Sequence, residues 1–307
     1  MKKYLRKILL FTSPFLIVFL FIAVIDPYEF VNVVHVIDSN TKIRVLQRSD
    51  ASSPRGNLLW KSLHFKRKPC KNVIIGDSQG ARFDEKLIGD LSGVEYFNFC
   101  VPGASYETIF SIFDFVTAHE KDLETVYLTV SFMNFNLSRS YDIFHYGKDY
   151  LDRPYLYFMS KDILADSWVN FMYATTGNRK LVEKSYAYMD PAIVDSKMAA
   201  TMDLFFGDYH YPETYCDKLK EIVNFCDDHG IAVHFIILPT YKAVPEYLDD
   251  HGLTADEQRF EDFIKSLGPT YDFNYDNQYR LNRSCFVDYF HLRKEYVNEI
   301  SEKIWIR

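Results

Sequence analysis

A chain of 307 residues with 48% apolar content can bury one large core or two modest ones. Its formal charge is −7 and nothing in it resembles a clustered basic face, which disfavours nucleic acid, so no nucleic-acid partner is expected. Aromatic residues reach 17%, which suits ring-filled cores first and carbohydrate-facing surfaces second.

At the N-terminus Lys2, Lys3, Arg6 and Lys7 precede residues 8–25, an 18-residue stretch without a charge. That length is at the lower limit for crossing a hydrocarbon layer. A cleaved signal peptide is the rival reading, but the run ends in Val24-Ile25-Asp26-Pro27 with no small-x-small site. The basic flank keeps the tip in the cytoplasm. Residues 1–27 are therefore expected to be a cytoplasmic tip and an uncleaved transmembrane anchor, with the rest on the periplasmic, extracytoplasmic side. A single span tolerates the kink of Pro14.

Residues 28–70 read as a stalk that packs on the domain edge, β-rich at 31–37 and a polar loop at 49–56. From 71 to 307 strand-like and helix-like stretches alternate, as in an open parallel sheet. Strands are predicted at 72–75, 95–99, 125–130, 232–238 and, more weakly, 270–273. Helices are predicted at 82–91, 106–119 and 212–229, the last stopped by Gly230 as a left-handed cap. Between the third and fourth strands, 137–211 is rich in Tyr, Phe, Met and Asp and reads as a helical insertion. A lid over the carboxyl edge of the sheet is the preferred reading, an insertion remote from the site the alternative.

Cys70, Cys100, Cys216, Cys226 and Cys285 are odd in number and widely spaced, so no disulfide framework is expected, and a single bridge stays open. No Cys-x-x-Cys occurs and the histidines lack zinc-ligand spacing, so neither a metal nor another cofactor is expected.

The chemistry lies in two distant segments. Val73-Ile74-Ile75-Gly76-Asp77-Ser78 is an apolar strand that delivers a serine to the carboxyl edge of the sheet, where α/β proteins place ligands. Residues 79–87 then start a helix, so the Ser78 N–H sits where negative charge is favoured. Far along the chain, Asp288-Tyr289-Phe290-His291 puts a carboxylate and an imidazole one helical turn apart. Asp288 orients the ring of His291, which takes the proton of Ser78. Taken singly, Ser78 reads as well as an N-cap, Asp288 as a helix cap and His291 as a surface residue. Their joint occurrence favours the nucleophile system.

With these motifs the chain resembles the SGNH/GDSL hydrolase superfamily over about residues 72–300, the lid region excepted. The resemblance implies a three-layer α/β/α, flavodoxin-like domain with a five-stranded parallel sheet. It makes Gly76-Asp77-Ser78 the first block, with Ser78 as nucleophile, and Asp288-x-x-His291 the fifth. Asn98-Phe99-Cys100-Val101-Pro102-Gly103-Ala104-Ser105 is similar to the second block, which assigns the N–H groups of Gly103 and Ser78 to the oxyanion. Gly103 also fits a positive-φ turn after Pro102, and the two readings are compatible. The third block, ordinarily Gly-x-Asn-Asp, is altered: aligned on Asn134, Phe132 stands for the glycine and Phe135 for the aspartate. Asn134 is the first choice for the side-chain oxyanion donor and a turn residue otherwise. Asn136 is the second choice, since period-two alternation points both the same way.

Arg82 and Arg293 flank these blocks and read as solvated or locally paired residues before anion ligands. Leu238-Pro239-Thr240-Tyr241 either lines an acyl pocket or simply leaves the sheet, and His234 packs in the core. The expected function is a serine-dependent O-acyltransferase or esterase acting on cell-envelope carbohydrate through an acyl-serine. One anchor, an exported SGNH domain and a long insertion make a layout similar to bacterial proteins that O-acetylate exopolysaccharides. This implies an acyl-ester or carbohydrate substrate and an integral membrane acyltransferase partner. The alternative, motivated by the altered third block, is a non-catalytic binding or scaffold protein of an envelope assembly system.

Overall fold

The structure is a computed structural model that describes residues 2–46, 53–182 and 191–306. The chain divides into two compact units, Met1–His64 with Phe144–Tyr188, and Phe65–Ile143 with Met189–Arg307. This partition differs from the one expected from sequence, because the 137–211 insertion is split between the units.

The larger unit is built on a five-stranded parallel sheet ordered β2-β1-β3-β4-β5. The strands are β1 Asn72–Ile75, β2 Phe97–Asn98, β3 Thr125–Thr129, β4 Ala232–Ile237 and β5 Thr270–Asp272. All five predicted strands are present, most of them trimmed at their ends. Every residue of β1 is buried, as a central parallel strand requires. Register pairs Ile74 with Tyr127 and Tyr127 with His234, so these side chains share one face. Ile74 and Tyr127 join a core with Ile88 of helix Glu85–Ser92 and Val297, Ile300 and Trp305 of helix Lys294–Trp305. Helices Tyr106–His119 and Glu213–Asp228 also pack against the sheet. The second of these ends as predicted: Gly230 has φ +69, and the Ile231 N–H closes on the Cys226 carbonyl at 2.8 Å. Growth of the sheet outward from β1 puts the topological switch between β1 and β3, at whose carboxyl ends ligands bind in such folds.

The smaller unit is helical, with a core of Ile22, Tyr28, Leu46, Leu59, Leu63, Tyr157 and Ile163. The β-rich stretch 31–37 forms no strand. The buried Asp26 carboxylate accepts the N–H groups of Phe30, Val31 and Asn32 that a ladder would need, together with the Tyr157 hydroxyl. Asn32 has φ +54, which a strand excludes. Of the predicted 49–56 loop, Ser53 onward is the first turn of helix Ser53–Arg67, and 49–52 lie outside the described residues.

Among the described residues no helix is long and apolar enough to cross a membrane. This departs from the spanning helix expected at the N-terminus. The uncharged run does lie in a single helix, Lys2–Ile25. Its described side chains run without a charge from Leu10 to Ile25, about 24 Å at 1.5 Å per residue against roughly 30 Å of hydrocarbon. The five cysteines are free thiols.

Candidate active site

Ser78 leaves the end of β1 partly exposed, while its neighbours Asp77 and Gln79 are buried. The chain turns here through a short 3₁₀ helix, Gly80–Arg82, and the α-helix begins only at Glu85, capped by Asp84. The α-helical start expected directly after Ser78 is therefore displaced by several residues. The turn is tight because Thr129, at the end of β3, fills the space beside two glycines. A Cβ on Gly76 would lie 1.6 Å from Thr129 Oγ1, and one on Gly80 would lie 2.5 Å from it. The need for Gly80 was not legible in the sequence.

His291 Nε2 is 2.8 Å from Ser78 Oγ, and His291 Nδ1 lies 2.8 and 2.9 Å from the two carboxylate oxygens of Asp288. The three expected residues are thus brought together across the whole domain. Residues 288–291 form a bend and not the helical turn anticipated. Asp288 Oδ1 accepts the N–H groups of Phe290 and His291, and the Phe286–Leu292 bridge closes the loop behind them. A carboxylate that bonds its own following backbone makes such a turn without helical geometry.

Burial opposes the charged form of both members of this pair most strongly, yet their mutual attraction and hydrogen bond outweigh it. The Asp288 carboxyl is held at about 2, with the Phe290 and His291 N–H groups helping. The His291 imidazole is raised above its ordinary value by the Asp288 charge, against burial and the nearby Arg82 cation. A neutral ring with its Nδ1–H on Asp288 leaves Nε2 free to accept a proton from Ser78.

Around the serine, Asp77 is a buried hub. Oδ1 accepts the Gln79 N–H at 2.9 Å, and Oδ2 accepts the Ser131 hydroxyl and the Asn134 amide at 2.6 Å each. Asn134 is therefore fixed at the end of β3 with one amide hydrogen committed. Asn136 does not join it. Phe132–Asn134 is a 3₁₀ turn, so the period-two alternation fails, and Asn136 bonds the backbone at 205–210. Phe132 and Phe135 are packing residues: Phe132 stacks near Phe206 and Phe260, and Phe135 near Tyr106 and Tyr215.

Gly103 is exposed, with φ +78 and nothing within 4 Å of a built Cβ, so its need is conformational and not spatial. Asn98 holds the second block to the serine loop: its amide donates to the Gly80 and Phe83 carbonyls and its oxygen accepts the Cys100 N–H. Asn98, Ser131, Asp77 and Gln79 were missed as site-building residues. Asp77 and Asn98 lie inside the first and second blocks without a role read for them there, and Ser131 and Gln79 are marked by their polarity alone. Arg293 bonds the Ser284 carbonyl, and His234 stacks on Tyr127 with burial pulling its ionisation down.

Leu238 and Thr240 line a small buried cavity of about 20 Å³ with Gln79, Ser131, Phe206 and Phe260. A void of that size holds about one water-sized group. Within the larger unit the insertion approaches the site through its first residues, where the Tyr141 hydroxyl donates to the Gly103 carbonyl at 3.2 Å, and through its last helix, Pro191–Phe206. Phe205 packs edge-on to Phe290 at 5.2 Å, and Asp195 pairs with Arg283 at 2.7 Å. Of the insertion, Phe144–Tyr188 belong to the smaller unit and the residues on either side of that stretch to the larger one. No group of His, Cys, Asp or Glu among the described residues is arranged to hold a metal ion.

No family model matches the chain, and no curated protein matches it. Among solved structures the similarity is distant. One, described as a platelet activating factor from Streptococcus pneumonia, is 10% identical at TM-score 0.41 over 83% of this chain and 93% of that one. Another, described as a lipolytic protein of the G-D-S-L family from Desulfitobacterium hafniense DCB-2, is 14% identical at TM-score 0.37 over 76% and 96%. Likeness at that level leaves the decision to the chain's own topology. Here Gly-Asp-Ser leaves β1, the Asn134 turn leaves β3 at the switch point, and Asp-x-x-His meets the serine. These motifs, at these places in a parallel α/β sheet, keep the resemblance to the SGNH/GDSL hydrolase superfamily drawn from the sequence. The altered third block keeps its asparagine at the end of this turn, and its two exchanged positions, Phe132 and Phe135, join the aromatic core.

Proposed function

We propose that this protein is a serine esterase or O-acyltransferase that works through an acyl-Ser78 intermediate. The observation that carries the reading is the 2.8 Å contact between Ser78 Oγ and His291 Nε2, with Asp288 on the opposite ring nitrogen. Ser78 Oγ attacks the ester carbonyl carbon as His291 Nε2 takes the hydroxyl proton. The C=O electron pair becomes an oxyanion, which the N–H groups of Ser78 and Gly103 and the second amide hydrogen of Asn134 would stabilise. Collapse breaks the ester C–O bond, and His291 returns the proton to the departing alcohol. An incoming hydroxyl, from water or a sugar, then attacks the acyl carbonyl carbon as His291 takes its proton; collapse breaks the bond to Ser78 Oγ, and His291 returns the proton to that oxygen.

Cell-envelope carbohydrate is the proposed acceptor or substrate, and an integral membrane acyltransferase the proposed donor of the acyl group. Support for an envelope location comes from helix Lys2–Ile25, whose basic end precedes a surface on which Phe11, Phe15 and Ile17 are each at least 66% exposed. Such a surface is costly in water and matches a lipid environment. The competing scaffold reading rests on the third block, whose altered positions serve packing.

An activated serine probe tests the chemistry. Labelling and acetyl-ester hydrolysis by the full chain should vanish in Ser78→Ala, and a folded wild type that neither labels nor turns over would favour the scaffold. Adding an oligosaccharide acceptor and weighing the products separates transfer from hydrolysis, since free acid at every acceptor concentration excludes transfer.

A further inference from the structure

Asn136 is a saturated amide. Its Nδ2 donates to the carbonyls of Phe205 at 3.0 Å and Asp208 at 3.1 Å, and its Oδ1 accepts the N–H groups of Ser138 and His210 at 3.0 Å each. These four bonds clamp the turn after β3 to the end of helix Pro191–Phe206. The clamp lays the Arg139 guanidinium over the Phe205 ring, 4.2 Å from its centroid, with the Tyr141 ring at 6.0 Å. Phe205 in turn packs on Phe290, the residue before His291. Tyr141 donates its hydroxyl to the Gly103 carbonyl at 3.2 Å, and the Ser105 and Thr108 hydroxyls pin its own carbonyl. The platform thus reaches from Gly103 to Phe290, the two segments that border Ser78 and His291.

Arg139 is poorly satisfied there. Among the described residues no carboxylate is paired with it: Asp208 accepts the Ser138 hydroxyl beside His210, and Glu107 accepts the Ser140 hydroxyl. Its own bonds are long, 3.3 Å to the Leu204 carbonyl and 3.4 Å to the Tyr141 hydroxyl, and its Nε is buried without a partner. A guanidinium held over a ring, with weak neutral acceptors, is prepared for a planar or tetrahedral anion. Leu137, Tyr141 and Leu204 stay exposed around it and offer an apolar bed for the face of a sugar ring.

We propose that Arg139, held on Phe205 beside Tyr141, recognises a carboxylate or phosphate carried by the carbohydrate bound at the Ser78 site. The substrate is then an anionic sugar polymer and not a neutral one. This rests on the acyl-ester reading above and narrows it.

The test has a kinetic arm and a binding arm, both on the full chain. In the first, kcat/KM is measured on acetylated oligouronate, on an acetylated sugar phosphate and on an acetylated neutral oligosaccharide. Wild type should prefer one of the anionic substrates, and that preference should fall as salt rises. Arg139→Gln should cut the preference at least tenfold, mainly through KM, and Arg139→Lys should restore part of it. In the second arm, Ser78→Ala is titrated with oligouronate and with the sugar phosphate, which distinguishes carboxylate from phosphate. Adding Arg139→Gln should weaken the binding tenfold or more. Equal losses on neutral and anionic substrates, a wild-type preference indifferent to salt, anion binding that survives Arg139→Gln, or no anion binding by Ser78→Ala would each overturn the proposal. If no ester is turned over but binding depends on Arg139, the acyl-ester reading fails and the platform stands.

Discussion

The side-chain amide of Gln79 donates to the carbonyl of Phe290 at 2.9 Å, joining the residue after the nucleophile to the residue before the base. Both groups are buried, so the bond fixes the spacing of Ser78 and His291 with no help from solvent. Gln79→Ala leaves a buried carbonyl unpaired, at a cost of about 1–3 kcal/mol. Because Gln79 acts through geometry, kcat on a small acetyl ester should fall about tenfold with KM little changed. A melting curve and a kcat–KM split check this together. Matched losses in both constants would mark a general packing defect.

Asp288→Asn removes the charge that holds the His291 imidazole above its ordinary value. A general base works when neutral, so the wild-type acid limb of kcat/KM should lie above the ordinary histidine value. In the variant it should move down, while the rate falls by about 10³ to 10⁴ as the ring loses its orientation. A limb that does not move would disprove the pairing as the source of the shift.

The same carboxylate affects stability. Its pKa is depressed from 3.8 to about 2, so the contribution is complete above the unfolded value and is lost as pH falls through the folded one. Wild type should therefore lose about 2 kcal/mol more than Asp288→Asn between roughly pH 4 and pH 2. The raised His291 works in the opposite sense: its contribution is present below the unfolded pKa and disappears as pH rises through the folded one. Thermal unfolding of both proteins across pH 2 to 9 resolves the two windows.

Asn134 and Asn136 should separate cleanly. Asn134→Ala removes a donor fixed by Asp77 and should lower kcat by ~10² to 10³, the size of one oxyanion contact. Asn136→Ala breaks four bonds to the 138 and 205–210 backbone, so it should lower the melting temperature more than Asn134→Ala does. If both variants lose kcat equally at unchanged stability, the assignment of Asn134 alone is wrong.

The strands and the Ser78, Asp288 and His291 set were legible because each depends on short patterns: apolar runs, a tripeptide, a three-residue spacing. What failed depended on partners far away in sequence. Residues 31–37 have strand composition, but the Asp26 carboxylate takes the N–H groups of Phe30, Val31 and Asn32 first. Asn134 and Asn136 look equivalent on paper, and only a 3₁₀ turn sends them to different tasks. The insertion divides between two units because an amphipathic helix records that it needs a partner without recording which one. Gln79 and Ser131 carry no motif, since a buried polar residue is recognisable only once its hydrogen-bond partner is in place.

The packing of Thr129 between two glycines gives a contrast that needs no assay of activity. The three atoms nearest a methyl at Gly80 all belong to side chains: Thr129 Oγ1 at 2.5 Å, Cys100 Sγ at 2.6 Å and Thr129 Cγ2 at 2.8 Å. A methyl at Gly76 would meet Thr129 Oγ1 at 1.6 Å and also the Thr129 carbonyl oxygen at 2.7 Å, which no substitution removes. Both Gly→Ala changes should destabilise by about 1–3 kcal/mol or more through overpacking. Adding Thr129→Ala and Cys100→Ala should recover much of the loss for Gly80→Ala, because the crowded atoms are then gone. The same additions should recover little for Gly76→Ala, because the backbone clash persists and β3 would have to move. Chemical denaturation of the two series measures the difference as a coupling energy. Equal rescue in both series would mean that β1 and β3 can separate at this point, and the close approach that aims Ser78 at His291 would not be rigid.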